Sequence, residues 1–156
     1  MAIRRRQRSV RSLTQLCRSS IGLVTDPRGA RIPATEEAVK AAREAVAAII
    51  DNKGEHPAIL DVSELLVVTD LFVISTDTSR PHLRSLVDEI EGRLKTIGER
   101  PLRREGVEYG KWVLLDYGHF VVHLFDEETR AIYDLERLWA NAPRVAISEA
   151  SAAAGP

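Results

Sequence analysis

Two β-prone runs, Trp112-Val113-Leu114-Leu115-Asp116 and Phe120-Val121-Val122-His123-Leu124-Phe125, are separated only by Tyr117-Gly118-His119. Two such runs around a short glycine-containing loop predict a β-hairpin. The run Leu71-Phe72-Val73-Ile74-Ser75 is continuous rather than alternating, which predicts a strand buried on both faces. A hairpin beside a doubly buried strand calls for a sheet with packed cover.

The cover is legible as helices. Thr35 can cap a helix whose first turn holds Glu36 and Glu37, where negative charge suits the dipole. Ala38, Ala41, Ala42, Ala45, Val46, Ile49 and Ile50 recur at helical spacing, and Asn52-Lys53-Gly54 ends the pattern. A stripe built mostly from alanine lets this helix approach a sheet closely. Ser79 can cap a second helix, with Pro81 at its start, Leu83, Leu86, Val87, Ile90, Leu94 and Ile97 along one face, and Gly98 closing it. Ala58–Val62 reads as a strand, Leu65–Thr69 as a turn or strand start, and Leu102–Arg104 as a short edge strand. Asp126–Arg130 reads as a polar segment. Asp134 can cap a last short helix holding Leu135, Leu138 and Trp139, after which Pro143 ends the fold. The expected fold is α/β (α+β): a mixed sheet of about five strands with helices packed on it. It would occupy residues 35–145, with a basic extension over 1–34 and a flexible tail over 146–156.

Charge divides the chain. Residues 1–34 contain eight arginines and one acid, a net of +7, whereas the remainder has 14 basic and 22 acidic side chains, a net of −8. Bare phosphate would repel the acidic part, so broad nucleic-acid binding by the folded domain is not expected and a protein partner fits better. The basic extension has three readings: an RNA-attracted tail, a segment without a role, or an organelle transit sequence. No apolar run reaches the roughly 18 residues of a membrane span. A single cysteine, Cys17, permits no internal disulfide, and a reducing compartment is expected.

The sequence is poor in catalytic patterns. Ser75, Ser79 and Ser85 lack a nucleophile elbow, and no phosphate-binding glycine loop occurs. Asp61, Asp70, Asp77 and Asp116 lie near predicted strand ends, where a carboxylate cluster could hold a divalent ion. Among His56, His82, His119 and His123, however, the one pair four apart, His119 and His123, falls on the hairpin rather than on a helix, and no D-x-D occurs. His123 is expected as a hydrogen-bonded core residue, and His82 as a locally bonded one. No enzyme activity, metal or cofactor is expected.

Trp112 has two readings, a core corner or an interface anchor. Tyr117, at the hairpin tip, leans toward a contact. Trp139 is expected in the core.

Six segments occur in an order that resembles the ribosomal silencing factor family, also called Iojap-like. They are Thr69–Ile74, Ser79–His82, Glu105-Gly106, Trp112–Gly118, Val121–Phe125 and Tyr133–Trp139. The resemblance covers residues 36–145. It implies a nucleotidyltransferase-like fold without the catalytic motif, the nearest stretch being Ser75-Thr76-Asp77-Thr78 with its single acid. It implies a cytoplasmic translational repressor that binds the large ribosomal subunit through large-subunit ribosomal protein fourteen. Binding would block the small subunit sterically when nutrients are scarce, and a homodimer would fit. Trp112 matches the tryptophan of the family's partner-binding surface, and Tyr117 and Gly118 match the adjoining hairpin loop. The resemblance implies these and His119 as partner-binding residues, His119 being a departure because many relatives have Asp there. Two alternatives are a large-subunit assembly factor, which also fits an organelle, and a degenerate nucleotidyltransferase-like enzyme.

Overall fold

The computed structural model describes residues 34–147, so the basic extension up to residue 33 and the expected tail from residue 148 on lie outside the described residues. The first helix, α1 (Glu36–Asp51), is capped by Thr35, whose hydroxyl accepts from the Ala38 amide. Its alanine stripe is buried, as the periodicity requires. Strands β1 (Glu55–Asp61) and β2 (Leu71–Thr76) follow, and every residue of β2 is buried. Helix α2 (Arg80–Thr96), capped by Ser79, buries Leu83, Leu86, Val87, Ile90 and Leu94. Strand β3 (Arg103–Glu105) leads into β4 (Trp112–Asp116) and β5 (Phe120–Phe125). The chain closes with α3 (Glu127–Tyr133), the single turn α4 (Leu135–Leu138) and β6 (Arg144–Val145).

The strands form one six-stranded sheet in the order β3-β4-β5-β2-β1-β6. The central pair β2–β5 is parallel and the other pairs are antiparallel. Because side chains alternate across a strand, the sheet sorts its apolar residues into two cores. Leu71, Val73, Val113, Leu115, Phe120, Val122 and Leu124 pack under α1 and α2. Leu60, Phe72, Ile74, Trp112, Leu114, Val121 and Phe125 face the other way and meet Leu66, Leu135 and Trp139. Burial of β2 on both faces thus comes from two unlike layers, long helices on one side and short elements on the other.

Three expectations change. The polar segment Asp126–Arg130 starts a helix that the sequence reading did not assign: Asp126 caps α3, its carboxylate accepting from the Thr129 amide at 2.7 Å. Its acidic residues occupy the first turn, where the dipole favours them. Pro143 does not end the fold, because its carbonyl accepts from the Asp61 amide at 2.8 Å and the next two residues pair with β1. The sheet therefore has six strands rather than about five. Packing also continues past residue 145: the Ala146 carbonyl accepts from Arg43 Nε at 3.0 Å, and Ile147 lies against the helical core.

Candidate functional site

Trp112 opens β4, and its position is fixed by the turn before it. Gly106 has φ +79°, and a Cβ there would lie 1.9 Å from the Trp112 carbonyl oxygen, so only glycine allows this approach. The Trp112 side chain is 8% exposed. Its ring lies 4.9 Å from that of Phe125 and 4.6 Å from that of Tyr133, centroid to centroid. The indole N–H donates to His123 Nδ1 at 3.2 Å. Accepting that bond requires a bare Nδ1, so His123 is neutral. Complete burial enforces the same state and pulls its pKa down to about 3. His123 is thus the hydrogen-bonded core histidine expected from the sequence, and Trp139, buried against Phe72, is also core.

Tyr133 is the outer member of this aromatic group. It is 38% exposed, and its neighbour Ile132 and the later Leu138 are exposed as well. Sequence reading did not single it out, because Asp126–Arg130 was not recognised as a helix start. The capping pattern of Asp126 followed by Glu127 and Glu128 was the available signal. Arg130 holds α3 in place. It donates to the His56 carbonyl at 2.9 Å, to Thr76 Oγ1 at 2.7 Å, and to the Glu136 carboxylate at 2.9 and 3.3 Å. An open cleft of about 670 Å³ lies beside it, lined by Glu55, Pro57, Glu127, Asp134 and Arg144 among others.

The structure does not bring the four sequence-predicted residues together. Trp112 pairs with Phe125 at one end of the hairpin, while Tyr117, Gly118 and His119 form the turn at the other. Five residues at about 3.3 Å each separate Trp112 from Tyr117 by roughly 16 Å. The two aromatic rings also belong to cores on opposite faces of the sheet. Tyr117 is 3% exposed, which corrects its reading as a surface contact. Its ring stacks on Phe120 at 4.7 Å, and desolvation, reinforced by Glu91 and Glu99, pushes its phenol pKa up. Gly118, at φ +89°, turns the chain, and its amide donates to Asp116 Oδ1 at 2.8 Å. His119 lies 3.4 Å from a Glu99 carboxylate oxygen, and its carbonyl accepts from the Asp70 amide. Burial, and then the charge of Asp61, raise the pKa of Asp70, with His119 opposing.

Of the predicted carboxylates Asp61 acts electrostatically on Asp70, but the four do not converge on one site. Asp61 binds the amide and hydroxyl of Ser63, Asp116 holds Gly118, and Asp77 Oδ1 accepts from the Ser79 amide at 3.2 Å and faces His82. Among the described residues no three His, Cys, Asp or Glu side chains come together in a way that could hold a metal ion. No described helix is long and apolar enough to cross a membrane.

Residues 35–155 match the profile of the family described as "Ribosomal silencing factor during starvation". The chain belongs to the ribosomal silencing factor family. It is similar to the ribosomal silencing factor of Halalkalibacterium halodurans, with 36% identity over 101 residues, 65% of this chain and 86% of that one. It is also similar to the mouse "Mitochondrial assembly of ribosomal large subunit protein 1", with 34% identity over 84 residues, 52% of this chain but 37% of the mouse protein. A crystal structure from Chromobacterium violaceum superposes with a TM-score of 0.63 at 33% identity, covering 65% of this chain and 84% of that one. The mixed sheet with its packed helices is therefore the fold of a ribosomal silencing factor, and the family ties the chain to the ribosome.

Proposed function

We propose that this protein represses translation by docking on the large ribosomal subunit, through large-subunit ribosomal protein fourteen, and excluding the small subunit sterically. The observation that carries this reading to a surface is the exposed Tyr133 ring, tilted against the nearly buried Trp112 with centroids 4.6 Å apart. An aromatic held rigidly from beneath, on a helix that also exposes Ile132, loses little side-chain entropy on binding, which suits an interface anchor. Charge supports a basic ribosomal partner: residues 35–156 carry a net of −8, and complementary charge speeds and orients docking. Trp112 acts as a platform for Tyr133 rather than as the principal contact. Steric exclusion of the small subunit by a protein docked on the large one needs no chemical step.

Co-sedimentation with isolated large subunits tests the reading. Tyr133→Ala should remain folded and lose at least about 2 kcal/mol of binding, roughly 30-fold in affinity. Unchanged binding would remove α3 from the interface. Similarity to the mouse assembly protein favours a second reading, a large-subunit assembly factor. The two differ in timing: an assembly factor would accumulate on immature particles, whereas a repressor would lower the yield of joined ribosomes from mature subunits.

A further inference from the structure

His82 sits in the first turn of α2, away from the Trp112–Tyr133 surface, and both of its ring nitrogens face acceptors. Nδ1 is 2.7 Å from Asp77 Oδ1, and Nε2 is 2.6 Å from the carbonyl oxygen of Asn52, the residue that caps the carboxyl end of α1. A neutral imidazole carries one N–H and one lone pair, and so can donate to only one of these oxygens. Two short contacts to acceptors require the imidazolium. Asp77 is fixed as the partner: its side chain is fully buried, and its Oδ1 also takes the Ser79 amide.

We propose that His82 is a proton-dependent clamp, its doubly protonated ring tying the carboxyl end of α1 to the β2–α2 turn. The charged groups that act on it are Asp77 from that turn and Lys53 from the turn after α1. The hydrogen bond donated to Asp77 raises the imidazole pKa most; the Asp77 charge and the Asn52 carbonyl add to it, while desolvation and Lys53 oppose. A pKa raised on folding contributes stability that is fully present below the unfolded value of about 6.5 and is lost as pH rises through the folded value. On deprotonation the remaining proton stays on Nδ1, where the acceptor is a carboxylate. The bare Nε2 then meets the Asn52 carbonyl lone pair to lone pair, so it is the α1 end that is released. The released turn, Asn52 to Gly54, closes on α1 through hydrogen bonds donated by the amides of Asn52 to the Ala48 carbonyl, of Lys53 to that of Ile50 and of Gly54 to that of Ile49. It leads directly into β1.

The inference is independent of the ribosomal reading and is tested on the protein alone. Side-chain nitrogen NMR of the wild type should show His82 protonated at both nitrogens at pH 6.5, with a midpoint above about 6.5. Asp77→Asn should lower that midpoint. Amide exchange of Lys53 and Gly54, corrected for intrinsic pH dependence, should accelerate severalfold as pH rises through the midpoint, and His82→Ala should abolish this step. A neutral His82 at pH 6.5, or a midpoint unmoved in Asp77→Asn, would overturn the clamp. Exchange at Lys53 and Gly54 without a step at the His82 midpoint would overturn its control of the α1 end.

Discussion

Trp112 and Tyr133 touch, yet they answer to different demands. Trp112 is closed in by Phe125 and Tyr133 and donates its N–H to His123. Truncating it removes a large buried ring and leaves a cavity, which costs about 3–5 kcal/mol. Trp112→Ala is therefore expected to lower the melting temperature sharply, so any loss of ribosome binding in that variant reports on folding as well as contact. Tyr133→Ala, at a half-exposed position, should melt close to the wild type. The reverse ranking of the two melting temperatures would place Tyr133, not Trp112, in the structural role. His123 gives a pH prediction. Its folded pKa is depressed to about 3, whereas the unfolded chain takes up that proton near 6.5. Below about 6.5 the unfolded state binds more protons, so this residue's contribution to stability falls progressively toward pH 3. His123→Gln keeps an acceptor for the Trp112 indole and removes the titration. Urea denaturation of the two proteins from pH 7 to 4 should show the wild type losing stability faster, and parallel curves would contradict a neutral buried His123.

At the scale of elements, α3 is the piece on which the proposed surface depends, and it was also the piece least legible in the sequence. It is short, its start is crowded with carboxylates, and only Thr129 among its residues is buried. No apolar stripe marks it, because Tyr133 meets Trp112 at its end rather than along its length. What holds it is local and electrostatic: the Asp126 cap and the hydrogen bonds of Arg130. Asp126→Ala should cost about 1 kcal/mol, the usual value of a lost cap. It should also weaken ribosome binding without removing any residue of the surface. Denaturant midpoints and sedimentation on the same variant check both parts. The hairpin shows the opposite case. Its bounds were readable because β4 and β5 are largely apolar, β-prone runs and their loop holds Gly118. What the pattern does not encode is which sheet face each side chain takes once the strands are placed. That choice put Tyr117 in the helical core and Trp112 in the other. β6 escaped notice because its two residues follow a proline and gain strand character only by pairing with Ile59 and Leu60.

For the whole molecule, one sheet separates two working layers. The α1–α2 layer fills one face with long amphipathic helices whose periodicity is legible in the sequence. The other layer is made of short elements that expose Tyr133 and Leu138 above a buried aromatic core. In the proposed reading, this asymmetry lets the domain present Tyr133 on a rigid aromatic base while the long helices cover the opposite face. The central claim is occupancy of the large subunit at a surface that the small subunit needs. The direct measurement is sedimentation of purified large subunits with the wild type and with Tyr133→Ala, before and after adding small subunits. The wild type should travel with free large subunits and reduce the yield of joined ribosomes, and Tyr133→Ala should do neither while remaining folded. Wild-type protein that binds large subunits but leaves joining unchanged, or that fails to bind them, would contradict the account.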